Sequence, residues 1–149
     1  MSYEQLKLEN QGCFRLYTAA RLIVQGYQPW LSQMGITYTQ YLVLMVLWEK
    51  DHQPVNDIAH RLYLESNTMT PLIKRMEAEK IVTRRKDKTD ARKTIVSLTE
   101  RGKAMEQEAA KIPGCMTKLL NEKGVETPEL VNLFSTLDGF ICKMAANNP

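Results

Sequence analysis

Residues 66–98 read SNTMTPLIKRMEAEK, then IVTRRK, then DKTDAR, then KTIVSL. In the first block Met69, Leu72, Ile73 and Met76 recur at three- and four-residue spacing, which predicts an amphipathic helix with those side chains inward. Ser66 is a good N-cap, and Pro71 falls in or near the first turn, where a missing donor costs little. Ser66, Asn67, Thr68, Thr70, Lys74 and Arg75 are left on the outer face. The period then changes from 3.6 to 2. Residues 81–86 and 93–98 are β-branched runs around a polar tip, which predicts a hairpin.

The flanks extend this pattern. Upstream, Val55, Ile58, Ala59 and Leu62 mark a short helix after Pro54, and Tyr63-Leu64-Glu65 forms the turn into the 66–80 helix. Thr37 with Gln40 reads as a capping box, and residues 41–48 are apolar all round, so that helix should be the buried centre. Residues 4–32 read helical on Leu6, Cys13, Leu16, Tyr17, Ala20 and Val24, with Gly26 and Pro29 expected to weaken or kink the second half. Downstream, Thr99 should cap a helix reaching about Ile112. Pro113 and Gly114 should interrupt it before it resumes through Leu120. Thr127 as N-cap and Pro128 at the first helical position open a last helix with Leu130, Leu133, Phe134, Leu137 and Ile141 on one face. The predicted fold is mainly α with a small β-hairpin: a winged helix-turn-helix over 36–112, flanked by helices over 1–35 and 113–149, in a single domain of 1–149. The first and last helices have more apolar face than a three-helix head needs.

The charge is focused on this head. The 149-residue chain carries a net +3, but residues 74–93 alone carry nine Lys/Arg against four Asp/Glu. A basic patch in a near-neutral protein is the footprint of a nucleic-acid contact, with a solvated charged loop as the plain alternative. The parts suit DNA. A helix enters the major groove with its N-terminal side chains on base edges, and its N-terminus attracts phosphate. Arg84, Arg85, Lys86, Lys88, Arg92 and Lys93 decorate the hairpin, whose tip can reach the narrow minor groove.

Composition excludes several classes. At 44% hydrophobic and 25% charged, the chain is an ordinary globular protein. Its longest apolar run, residues 41–48, is far short of the ~20 residues of a membrane span. No signal-like series opens the chain, so the expected compartment is the cytoplasm, without a membrane partner. The two histidines, His52 and His60, are too few for a metal site and read as surface residues; no cofactor motif is present. Cys13, Cys115 and Cys142 are widely spaced, without a C-x-x-C, and each alone reads as a small buried hydrophobe.

DKTDAR followed by LTERG resembles the wing of the multiple-antibiotic-resistance (MarR) regulators, with Asp90 and Arg92 as its Asp-x-Arg pair. KLENQGCFRLY at 7–17, YQPWL at 27–31, ITYTQYLVLMVLWE at 36–49, LYLESNTMTPLIKRME at 62–77 and KIPGC at 111–115 are similar to one branch, the organic-hydroperoxide-resistance repressors. The resemblance spans roughly residues 6–120 and weakens over the last helix. It implies a homodimeric repressor in which the N- and C-terminal helices interlock two subunits and the paired heads read pseudo-palindromic double-stranded operator DNA.

The resemblance also reverses the reading of Cys13, which matches the family's peroxide-reactive cysteine. Tyr27 and Tyr38 match tyrosines that hydrogen-bond the thiolate, and Tyr17 matches another pocket-lining aromatic. Organic hydroperoxides are then the reacting signal. Cys115 in KIPGC stands where two-cysteine members carry a resolving cysteine, which implies a disulfide between subunits. Cys142 and a low-molecular-weight thiol are the competing resolvers. A MarR-type regulator with a non-covalent aromatic or phenolic effector and merely structural cysteines is the alternative. A thiol peroxidase and a protein-binding winged helix are further rivals, though no peroxidase motif is present.

Overall fold

The computed structural model describes residues 3–146, which divide into two compact units, Met1–Tyr38 and Thr39–Pro149. In the first unit, two short 3-10 turns, Glu4–Leu6 and Leu8–Asn10, precede helix α1, Gly12–Met34. A helix from residue 4 was expected. Local side chains compete for its carbonyls instead: Asn10 donates to the Glu4 carbonyl, Gln11 to those of Gln5 and Lys7, and Arg15 to those of Glu9 and Gln11. Helix α1 runs without a break through Gly26 and Pro29, the positions expected to weaken or kink it. Pro29 forfeits only the bond to the carbonyl four residues back. Gly35 ends the helix in the left-handed region (φ 70°), its N–H donating to the Leu31 and Ser32 carbonyls.

The second unit holds the winged head. Helix α2, Tyr38–Glu49, is its centre, with Gln40, Tyr41, Val43, Leu44, Val46 and Leu47 all buried. The sheet has three strands rather than the two of the predicted hairpin. Strand β1 is only Gln53–Pro54, β2 is Val82–Lys86 and β3 is Thr94–Leu98, in the antiparallel order β1-β3-β2. Pro54 is tolerated because β1 lies at the edge, where no outward N–H is needed. Helices α3 (Val55–Arg61) and α4 (Ser66–Ala78) complete the head and bury Ile58, Ala59, Met69, Ile73 and Met76.

Several helix ends shift by a residue or more. Glu65, not Ser66, is the N-cap of α4; Ser66 is its first helical residue and donates instead to Asn56 Oδ1 of α3 at 2.7 Å. Pro71 therefore sits in the second turn, where it removes one internal hydrogen bond. Helix α5, Glu100–Ala109, is capped by Thr99 as expected but ends before Ile112. The break falls at Ala110 and Lys111, because a helix continued through Pro113 would drive its ring against the carbonyl four residues back. Pro113 instead lies in the first turn of α6, Ile112–Glu122. Helix α7, Thr127–Ala145, is capped by a reciprocal box between Glu126 and Glu129, displacing Thr127 from the cap.

Two helices leave apolar faces open in the single chain. No residue of α7 is buried, and Leu133, Phe134, Phe140 and Ile141 are 40–52% exposed. Along α1, Phe14, Leu16, Leu22 and Ile23 are likewise exposed. Among the described residues, no helix is long and apolar enough to cross a membrane.

Candidate nucleic-acid interface and thiol site

The order of elements in the second unit explains its basic face. Helix α4 presents Ser66, Asn67, Thr68, Thr70, Lys74 and Arg75 to solvent, while its apolar stripe fills the head. The Thr70 hydroxyl donates back to the Ser66 carbonyl at 3.0 Å. A polar cleft of about 190 Å³ runs between α4 and the sheet, lined among others by Asn56, Thr70, Arg84, Arg92 and Lys93.

The wing tip is shaped by the Asp-x-Arg pair. The Arg92 backbone N–H and guanidinium both donate to Asp90 at 3.1–3.3 Å, and the Arg92 side chain is 92% exposed. Hydrogen bonds from Arg92 hold the Asp90 carboxyl below the usual carboxylate range. Arg85 and Lys86 are exposed along β2. Arg84 differs from the other basic residues of the predicted set: it is half-buried and bound to Glu77 of α4. Glu77 was missed by sequence reading, which counted basic residues without asking which carboxylate each would meet.

The turn from α4 to the wing is caught by LTERG. Lys80 in that turn is left-handed (φ 61°). Thr99 donates to the Lys80 and Ile81 carbonyls at 2.8 and 2.9 Å, and Arg101 donates to the Glu79 carbonyl at 2.7 Å. Gly102 is buried against the Ile81 carbonyl. Gln40, buried under the head, donates to Glu79 at 3.1 Å. His52, also left-handed (φ 58°), has its Nδ1 2.7 Å from the Ser97 hydroxyl. The position after α4 is thus fixed by side chains from α2 and α5.

The thiol residues are divided. Cys13 is the second residue of α1 and is exposed; its placement on the apolar stripe does not bury it in the single chain. Tyr17 lies one turn along the same helix and is 67% exposed. Tyr27 and Tyr38 form a separate aromatic group. Their ring centroids are 5.1 Å apart, and the Trp30 ring stands edge-on to Tyr27 at 6.1 Å. Burial raises the Tyr38 phenol above its ordinary value. At 1.5 Å rise per residue, Tyr27 lies about 21 Å along α1 from Cys13. Within the single chain the cysteine and the Tyr27–Tyr38 group therefore lie apart. Cys115 is half-buried on α6, and Cys142 is exposed on α7.

A winged head with a clamped basic hairpin and exposed flanking helices defines a class, the winged-helix transcriptional regulators. The family described as transcriptional regulator SarA/Rot matches residues 25–109. The chain is 39% identical over 135 residues to the organic hydroperoxide resistance transcriptional regulator of Bacillus subtilis strain 168, covering 91% of this chain and 92% of that one. Reduced AbfR bound to DNA superposes with a TM-score of 0.77 at 36% identity, over 97% of this chain and 99% of that one. Disulfide-formed AbfR superposes with a TM-score of 0.64 at 40% identity, over 93% and 95% of the two chains. The chain belongs to the MarR/SarA-type family of transcriptional regulators and is a relative of the organic hydroperoxide resistance regulator. It is a DNA-binding transcriptional regulator.

Proposed function

We propose that the chain is a homodimeric repressor that releases its operator when an organic hydroperoxide oxidises Cys13. The observation that carries this is the solvent-open Cys13 at the start of α1, in a chain similar to a regulator named for organic hydroperoxide resistance. The open faces of α1 and α7 support a second copy as the missing partner. On this reading Tyr27 and Tyr38, about 21 Å along α1 from the cysteine of their own chain, serve the thiolate of the other subunit. Phenolic donors stabilise a thiolate over a thiol, which raises its fraction at neutral pH.

The chemistry balances without a cofactor. The Cys13 thiolate attacks the outer peroxide oxygen; the O–O bond breaks, and the alcohol leaves with a proton. Sulfur loses two electrons and becomes a sulfenic acid. The Cys115 thiol of the other subunit then displaces water to form a disulfide. Disulfide-formed AbfR is a neighbour in which a disulfide is named. Mass spectrometry of protein treated with one equivalent of cumene hydroperoxide tests the step. A Cys13–Cys115 crosslink between subunits is expected. Linkage through Cys142, or a small thiol capping Cys13, would remove Cys115 from the role; an unmodified Cys13 would sink the sensor.

On DNA, the polar N-terminal face of α4 and the exposed residues of the wing over 85–92 contact the duplex, with Arg92 at the tip. Arg92→Ala should weaken binding and reduce the slope of log affinity against log salt by about 0.9, the loss of one phosphate contact. The same substitution should return the Asp90 carboxyl toward its ordinary value, read by carboxyl NMR titration. The sign follows from the lowered value. The Asp90–Arg92 clamp is intact above the ordinary carboxylate range and is lost as pH falls through the lowered value. An unchanged affinity and slope would take the tip off the DNA.

A further inference from the structure

We infer that Glu77 is a positioning residue for DNA recognition, and that Arg84, its partner, sets the angle of the wing rather than contacting phosphate. The inference rests on the DNA-binding reading and divides the basic set within it. Three hydrogen bonds converge on one carboxylate: Arg84 Nε and Nη2 donate to Glu77 Oε1 at 3.2 and 3.0 Å, and the Arg84 backbone N–H donates to Oε2 at 3.2 Å. The backbone bond matters as much as the ion pair, because it anchors the strand itself.

The place of this contact gives it consequence. Glu77 stands in the last turn of α4, and Arg84 is the third residue of β2, opposite buried Val96 of β3. Between them lies the turn with left-handed Lys80, the one joint between the helix that would enter a groove and the hairpin that would reach the next. Thr99 and Arg101 hold that joint from the α5 side. Glu77 and Arg84 brace it from the other, so the joint is bridged on both sides.

Electrostatics separates Arg84 from its neighbours. Arg92 has its side chain almost wholly in solvent, whereas that of Arg84 is 29% exposed and committed to Glu77. The hydrogen bonds from Arg84 lower the Glu77 carboxyl from its ordinary value. Half-exposed pairs of this kind add little to global stability. What a forked, backbone-anchored contact supplies is orientation, and two-point binding of a duplex is sensitive to orientation.

Fluorescence anisotropy with a duplex that the wild-type protein has selected from a randomised pool tests this. Glu77→Gln is chosen because it keeps the shape of the site while removing the charge, and Arg84→Lys because it keeps the charge while removing the fork. Each should weaken binding about tenfold, the double variant should be no weaker than the worse single, and the salt slope should match wild type. Their thermal midpoints should stay near wild type, which a merely structural role would not permit alongside the binding loss. Near wild-type affinity for Arg84→Lys, with a shallower slope for Arg84→Ala, would overturn the inference and make Arg84 a phosphate contact. Unchanged or tighter binding by Glu77→Gln would overturn it too. A wild-type protein that selects no duplex overturns the DNA-binding reading along with it, whereas failure of the variants alone strikes only the positioning role.

Discussion

Cys13→Ser should bind operator DNA like the wild-type protein and fail to let go when cumene hydroperoxide is added. The two halves of this result have separate causes. Cys13 is exposed in the first turn of α1 and the replacement is nearly isosteric, so the fold loses little; surface substitutions of this kind usually fall within about 0.5 kcal/mol. The Ser hydroxyl is not ionised at neutral pH and offers no nucleophile for the peroxide bond, so no sulfenic acid and no disulfide form. Release should fall to the level of untreated protein over any peroxide dose that releases wild type. Anisotropy of labelled operator reads both halves. Release at wild-type sensitivity would remove Cys13 as the sensor and favour a non-covalent effector.

Gly102→Ala should lower the thermal midpoint by roughly 4–8 °C, read by circular dichroism. Two effects oppose each other. Alanine in a helix gains up to about 1 kcal/mol over glycine. Against that, a Cβ at this position overlaps the Ile81 carbonyl oxygen and comes within 3.1 Å of Leu98 Cδ2. The carbonyl cannot retreat freely, because it accepts from the Thr99 backbone and hydroxyl at 3.1 and 2.9 Å. Gly102 is also held from both sides: its N–H donates to Thr99 and its carbonyl accepts from the Trp48 indole at 2.9 Å. Forcing a methyl into such a site costs about 3 kcal/mol, so a net loss of about 2 kcal/mol is expected. A midpoint within about 2 °C of wild type would mean that α5 shifts to accommodate the methyl.

The glycine of LTERG shows why some of the molecule could be read in advance and some could not. The sequence marks Gly102 only as an isolated glycine; its reason is a backbone contact with Ile81, twenty-one residues earlier, which no local pattern reports. The helices and the hairpin were legible because periodicity is local: the change from 3.6 to 2 at residue 81 is visible in the chain. The centre at 41–48 was legible because it is apolar on every side. Caps were harder. Ser66 and Thr127 have the right chemistry, but Glu65 and Glu126 take the cap positions, in the second case because Glu126 and Glu129 satisfy each other. Strand β1 escaped notice because two residues ending in proline carry no alternation. The basic set was legible as a charge count. Its division into an exposed Arg92 and a braced Arg84 was not, since that depends on which carboxylate the fold delivers to each.

The length of α1 between Cys13 and Tyr27 has a genetic consequence on the proposed reading. Each reactive site draws its sulfur from one copy and its phenols from the other. A cell expressing both a Cys13→Ser allele and a Tyr27→Phe allele would assemble mixed dimers in which one site carries both lesions and the other carries neither. Two defective alleles would then restore partial inducibility to each other.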